Sequence, residues 1–163
     1  MRGQGPDAPP RQRHPSHAHH RFVLSDRLLE ENKALVRRWY AEVLTQRRAE
    51  VIDEIVSMDY RGDTDVPLRA GPMGARQEVN ALFATFADMR FTIDDVIAEG
   101  DKVVVIWTGD LTPISSHTRP PLPGHTVTVA GISIYRVIDG RIVENRSADD
   151  LLGVLDQIDP CLL

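Results

Sequence analysis

Two adjacent carboxylates, Asp149 and Asp150, close the stretch of this sequence whose residue types best suit acid/base chemistry. Side chains alternate across an extended chain, so if residues 144–150 are extended, only one of the two enters a cavity beneath the sheet. Asp150 can instead cap a following helix, its carboxylate facing the backbone amides of Leu152 or Gly153. Upstream, Asp139-Gly140 is a two-residue turn signal. Such a turn sets Ile138 opposite Arg141, and the pairing then runs through Tyr135 opposite Glu144 and Ser133 opposite Arg146. If Asp150 continues the alternation of Glu144 and Arg146, then Tyr135, Ser133 and Arg146 belong with it to one cavity-facing set. Arg146 would there hold Asp150 ionised, or bind a substrate carbonyl and stabilise the charge developing on it. It serves equally well as a structural partner for Glu144.

Other reactive residue types read more plainly. His117 and His125 lie in or beside a Pro-rich loop at 113–124 and are expected to be exposed, although that loop is placed to act as a lid. His14, His17, His19 and His20 fall in an N-terminal stretch with no scaffold to impose a coordination geometry. Cys161 is the sole cysteine, which excludes an intrachain disulfide and a cysteine-based metal cluster and fits an intracellular protein. The aromatic residues Trp39, Tyr40, Phe83, Phe86, Phe91 and Trp107 are assigned to core packing, the inner ones doubling as pocket wall.

The elements that must position these groups follow from periodicity. Residues 1–24 are rich in Pro, Gly, Arg and His and are expected to be a disordered tail. Ser25 or Asp26 can cap a first helix, whose Leu28, Leu29, Leu35, Val36, Trp39, Tyr40 and Val43 recur at helical spacing. A short amphipathic helix is expected over 49–58 and a third over 75–87, with Val79, Leu82, Phe83 and Phe86 inward. Strand patterns then follow at 91–98, 102–108, 125–138 and 141–147, as two antiparallel hairpins. Helices first and sheet afterwards predict an α+β fold, the helices covering one face of a curved antiparallel sheet that encloses a pocket.

At 163 residues and 42% hydrophobic content the chain suits one domain, here 25–158, with 159–163 as a C-terminal tail. A formal charge of -5 argues against nucleic acid as a partner. No run approaches the roughly 18 apolar residues of a membrane span, and no secretion signal opens the sequence, so a cytoplasmic location is expected.

Over 31–158 the sequence resembles the SnoaL-like polyketide cyclases of the nuclear-transport-factor-like superfamily. The strings that carry the resemblance are Asn32-Lys33-Ala34-Leu35-Val36-Arg37-Arg38-Trp39-Tyr40, Phe91-Thr92-Ile93-Asp94-Asp95 and Ala98-Glu99-Gly100-Asp101-Lys102-Val103-Val104. Pro121-Leu122-Pro123-Gly124, Ile134-Tyr135-Arg136, Asp139-Gly140-Arg141-Ile142-Val143-Glu144 and Asp150-Leu151-Leu152-Gly153-Val154-Leu155 continue it in the family's order. The resemblance implies a cone-shaped α+β barrel and an intramolecular aldol closure of a polyketide-type ester. The Asp before the Leu-Gly motif would be general acid/base, here Asp150, with no metal or other cofactor. Arg146, Tyr135 and Ser133 become candidate substrate-binding residues, and so does Asp63, which falls where some members carry a His. An aromatic residue is usual in the family at the position of Arg146. Two further readings remain open: an epoxide hydrolase-like enzyme using Arg146 between acidic groups, and a noncatalytic module for a small hydrophobic ligand. The half-apolar outer sheet face, with Ile132, Ile134 and Val143, predicts a homodimer.

Overall fold

The structure is a computed structural model that describes the backbone of residues 17–62, 70–114 and 126–150, with side chains from residue 25 onward. Helix α1 spans His17–Arg38. It begins before the cap expected at Ser25 because neither Gly nor Pro interrupts the backbone between Pro15 and Arg38. The chain then widens into a π-helical segment, Trp39–Thr45, where the Gln46 amide donates to the Ala41 carbonyl five residues back at 3.1 Å. That wider turn buries Trp39, Tyr40, Val43 and Leu44 together.

The helix expected over 49–58 is shorter than its apolar spacing suggested. A 3-10 turn, Ala49–Val51, leads into the single turn of α2, Ile52–Ile55, and the backbone becomes extended at Val56. Val51, Ile52 and Ile55 are fully buried, each a burial that stabilises by about 1.5–3 kcal/mol. From Val56 the chain forms β1, Val56–Arg61. Helix α3, Pro72–Thr85, starts with Pro at its first position, where the missing amide costs nothing. Strands β2, Phe86–Glu99, β3, Lys102–Pro113, β4, Val127–Ile138, and β5, Arg141–Asp149, complete the fold.

The five strands form one open sheet in the order β1-β5-β4-β3-β2. The β2–β3, β3–β4 and β4–β5 pairs are antiparallel as expected, but β1 runs parallel to β5, so the sheet is mixed. The helices cover one face of this α+β cone. Arg38 joins α1 to α2 through Glu54 at 2.8 Å, and Arg76 joins α3 to α2 through Asp53. Arg141 at the start of β5 donates to the carbonyls of Asp53 and Val56 at 3.0 and 3.1 Å, which fixes the parallel edge. No helix among the described residues is long and apolar enough to cross a membrane.

Along β4 burial alternates strictly, with Val127, Val129, Ser133, Tyr135 and Val137 beneath the helices and Ile132 and Ile134 outside. Asp139 and Gly140 both have positive φ, 50° and 69°, the pair of values a type I′ hairpin turn requires. The first pairs are those anticipated, Ile138 with Arg141 and Val137 with Ile142. A β-bulge then inserts Val143, and from there every pair differs: Arg136 meets Glu144, Tyr135 meets Asn145, Ser133 meets Ser147 and Gly131 meets Asp149. Because side-chain direction has a period of two, that one residue exchanges the faces of β5.

Candidate active site

A cavity of about 510 Å³ lies between the sheet and the helix layer. Its walls are mostly apolar: Trp39 and Leu44 from the π-helical segment, Val79 and Leu82 from α3, and Phe86, Met89 and Phe91 from β2. Aromatic contacts brace one side. Tyr40 meets Phe91 and Tyr135 edge-on, with centroids 5.7 and 6.1 Å apart, and Phe91 meets Trp107 at 5.4 Å. Trp107 lies over Gly131, where a Cβ would overlap the indole, so the small residue on β4 makes room for the ring of β3.

Polar groups gather on the sheet side. The Trp107 indole N–H donates to Ser133 Oγ at 2.9 Å, and Ser133 Oγ shares a hydrogen bond of 2.8 Å with Ser147 Oγ across β4 and β5. The Tyr135 hydroxyl donates to Tyr40 Oη at 3.2 Å. Burial drives the Tyr135 phenol well above the ordinary tyrosine range, with neighbouring Tyr40 adding to it. Burial also raises Tyr40, helped by the charge of Asp149 and opposed by its hydroxyl contacts to Ser133 and Tyr135. Both phenols therefore remain neutral donors at physiological pH.

Two carboxylates line the cavity. Asp149 reaches it from the end of β5 beside Asn145 and Ser147, and Glu78 reaches it from α3. Among the described residues no three His, Cys, Asp or Glu side chains are arranged to hold a metal ion.

The residues singled out from sequence divide. Tyr135 and Ser133 are buried and line the cavity together. Arg146 does not join them. The bulge turns it outward, where it stands opposite Ile134, 72% exposed, its Nε 2.8 Å from Glu144 Oε1. That corrects the cavity-facing pairing of Arg146 with Asp150, and it removes the arginine on which the epoxide hydrolase-like reading depended. Asp150 follows β5 with its amide donating to the Ala130 carbonyl at 3.0 Å; Asp149 and Asp150 are both exposed, and of the two Asp149 lines the cavity. The helix-capping alternative for Asp150, the position of Asp63, the loop histidines and Cys161 all lie outside the described residues.

The sequence pattern set Asp149 on the face opposite Asp150, and it did not single out Asn145, Ser147 or Glu78. Asn145, Ser147 and Asp149 follow from the same alternation once Val143 is counted as an extra residue. Glu78 was legible one position before inward-facing Val79 and four before Leu82.

The sequence model of the SnoaL-like polyketide cyclases matches residues 34–158. No curated protein matches the chain. Among solved structures, the chain is similar to a protein from Jannaschia sp. CCS1 provisionally named a SnoaL-like polyketide cyclase, with 24% identity, 79% of this chain and 92% of that one covered, and a TM-score of 0.68. It is similar to TsrD from Streptomyces laurentii at 23% identity, covering 79% and 95% of the two chains with a TM-score of 0.67. A SnoaL-like polyketide cyclase from Agrobacterium tumefaciens is similar at 19% identity, covering 78% and 98%, with a TM-score of 0.66. These likenesses bear on the fold.

Proposed function

The chain belongs to the SnoaL-like polyketide cyclase family, and from that premise we propose that it closes a ring in a small, hydrophobic polyketide-type ester by metal-independent acid/base chemistry. The observation that carries this reading is the Asp149 carboxylate, exposed at the end of β5, on the wall of a mostly apolar cavity that the neutral hydroxyls of Tyr40, Ser133 and Tyr135 also line. The cavity volume of about 510 Å³ suits a small organic ligand.

In the proposed reaction Asp149 takes a proton from a carbon flanked by carbonyl groups. The electron pair left behind spreads over those carbonyl oxygens, and Tyr40 is positioned to donate to one of them. The resulting enolate carbon attacks a ketone held within the same folded substrate, and the new alkoxide is protonated. Holding both ends of one molecule in register removes the entropic cost of bringing them together.

The family resemblance assigns the base to Asp150 instead, and this second reading rests on that position preceding Leu151-Leu152-Gly153. Turnover of anthraquinone-type β-keto esters, followed by product mass, separates the two. Asp149→Asn is expected to lose about 100-fold or more in rate with Asp150→Asn near wild type. The reverse ranking would return the role to Asp150, and equal turnover in all three proteins would leave a ligand-binding module.

A further inference from the structure

We infer that Glu78 is a second acid/base group of the same cavity, protonating the oxygen of the ketone that is attacked. The inference rests on the cyclase reading above.

Glu78 projects from the layer opposite Asp149: α3 carries it, whereas Asp149 ends a strand of the sheet. A substrate filling the cavity therefore meets one carboxyl group from each layer. The Glu78 side chain is held in place on two sides. Tyr60, 1% exposed on β1, donates its hydroxyl to Glu78 Oε2 at 2.8 Å. At the end of the same strand Gly62 leaves open the space that the Glu78 carboxyl group occupies, since a Cβ there would overlap Oε1. A carboxyl group that merely packed against solvent would need neither an orienting phenol nor a bare backbone beside it.

With a carboxyl group on each layer, the cavity has one group for each of the two proton transfers. The aldol closure needs that division of labour. Asp149, ionised, removes the proton from the acidic carbon. The C–H electron pair becomes the enolate and then the new C–C bond, and the ketone π pair moves onto its oxygen. Glu78, protonated, delivers its proton there and is left as carboxylate. The substrate has lost one proton and gained one, so it leaves as an isomer, and exchange with solvent resets the two carboxyl groups.

The test reads the two half-steps separately, using an anthraquinone-type β-keto ester with a ketone in reach of its acidic carbon, in deuterated buffer. In Glu78→Gln the exchange at the acidic carbon should stay within about threefold of wild type while ring closure falls about 100-fold or more. Glu78→Asp should restore part of the closure. Tyr60→Phe, which keeps the carboxyl group but removes its donor, should move the pH at which closure is lost upward and leave the exchange profile in place. Exchange and closure falling together in Glu78→Gln, or closure at the wild-type rate, would overturn the inference. Wild-type protein with no Asp149-dependent exchange would instead sink the cyclase reading on which it rests.

Discussion

Ser133, Tyr135 and Glu78 in the cavity wall are each held by a hydrogen-bonding neighbour. Ser133 is aimed by the Trp107 indole and by Ser147, and a hydroxyl buried to 2% exposure needs such partners. Ser133→Ala leaves the Trp107 N–H without its acceptor, and chemical denaturation should register a loss of about 1–3 kcal/mol. The tyrosines give a pH prediction. The chain has three, Tyr40, Tyr60 and Tyr135. Tyr40 and Tyr135 are raised in the folded protein, so the unfolded chain releases their protons first, near pH ~10. Their contribution to stability is complete below that pH and declines as pH rises through it toward the folded values. In Tyr60→Phe protein, phenolate absorbance at 295 nm should stay low at pH 10 and appear together with unfolding. A titration complete at pH 10 in folded protein would mean that the two hydroxyls are open to solvent.

Among the elements, β5 decides what the site contains, through the bulge at Val143. Paired cysteines can read its register in a Cys161→Ser background. Ser133→Cys with Ser147→Cys should oxidise to a disulfide, because those side chains face each other with their oxygens 2.8 Å apart. Ser133→Cys with Arg146→Cys should stay reduced, as those side chains project from opposite faces. The converse would restore the pairing that the turn alone suggested. Much of the fold was legible in residue patterns: alternation in β3 and β4, helical spacing in α1 and α3, and two turns at positions of strong turn signal. The bulge was not, since Val143 is neither Gly nor Asn and fits the strand on both sides of it. A register argument started correctly at Asp139-Gly140 therefore went out of step after two pairs, which put Arg146 in the cavity and left Asn145, Ser147 and Asp149 outside it. Strand β1 was missed for a different reason: Val56 continues the apolar spacing of α2, and no Gly or Pro marks the change from helix to strand.

For the whole molecule, the outer sheet face carries the proposal of a homodimer. Ile106, Ile132 and Ile134 are 38%, 48% and 42% exposed on adjacent strands. Arg136 and Arg146, paired with Asp101 and Glu144, border this apolar centre toward one end, and Asp110 and Asp150 lie toward the other. A two-fold axis crossing the strands at the row of Ile106, Ile132 and Ala148 would lay this apolar centre against its own copy. Light scattering should give twice the chain mass for wild type and the single mass for Ile132→Asp, and monomeric wild type at micromolar concentration would contradict the proposal. The cavity opens on the other face of the sheet, so its chemistry can be tested within each copy. The most direct test of the central claim is NMR of a β-keto ester in deuterated buffer with wild type, Asp149→Asn and Asp150→Asn. Loss of the acidic-carbon proton signal with wild type and Asp150→Asn, but not with Asp149→Asn, is the predicted result. Exchange that persists in Asp149→Asn would contradict Asp149 as the base.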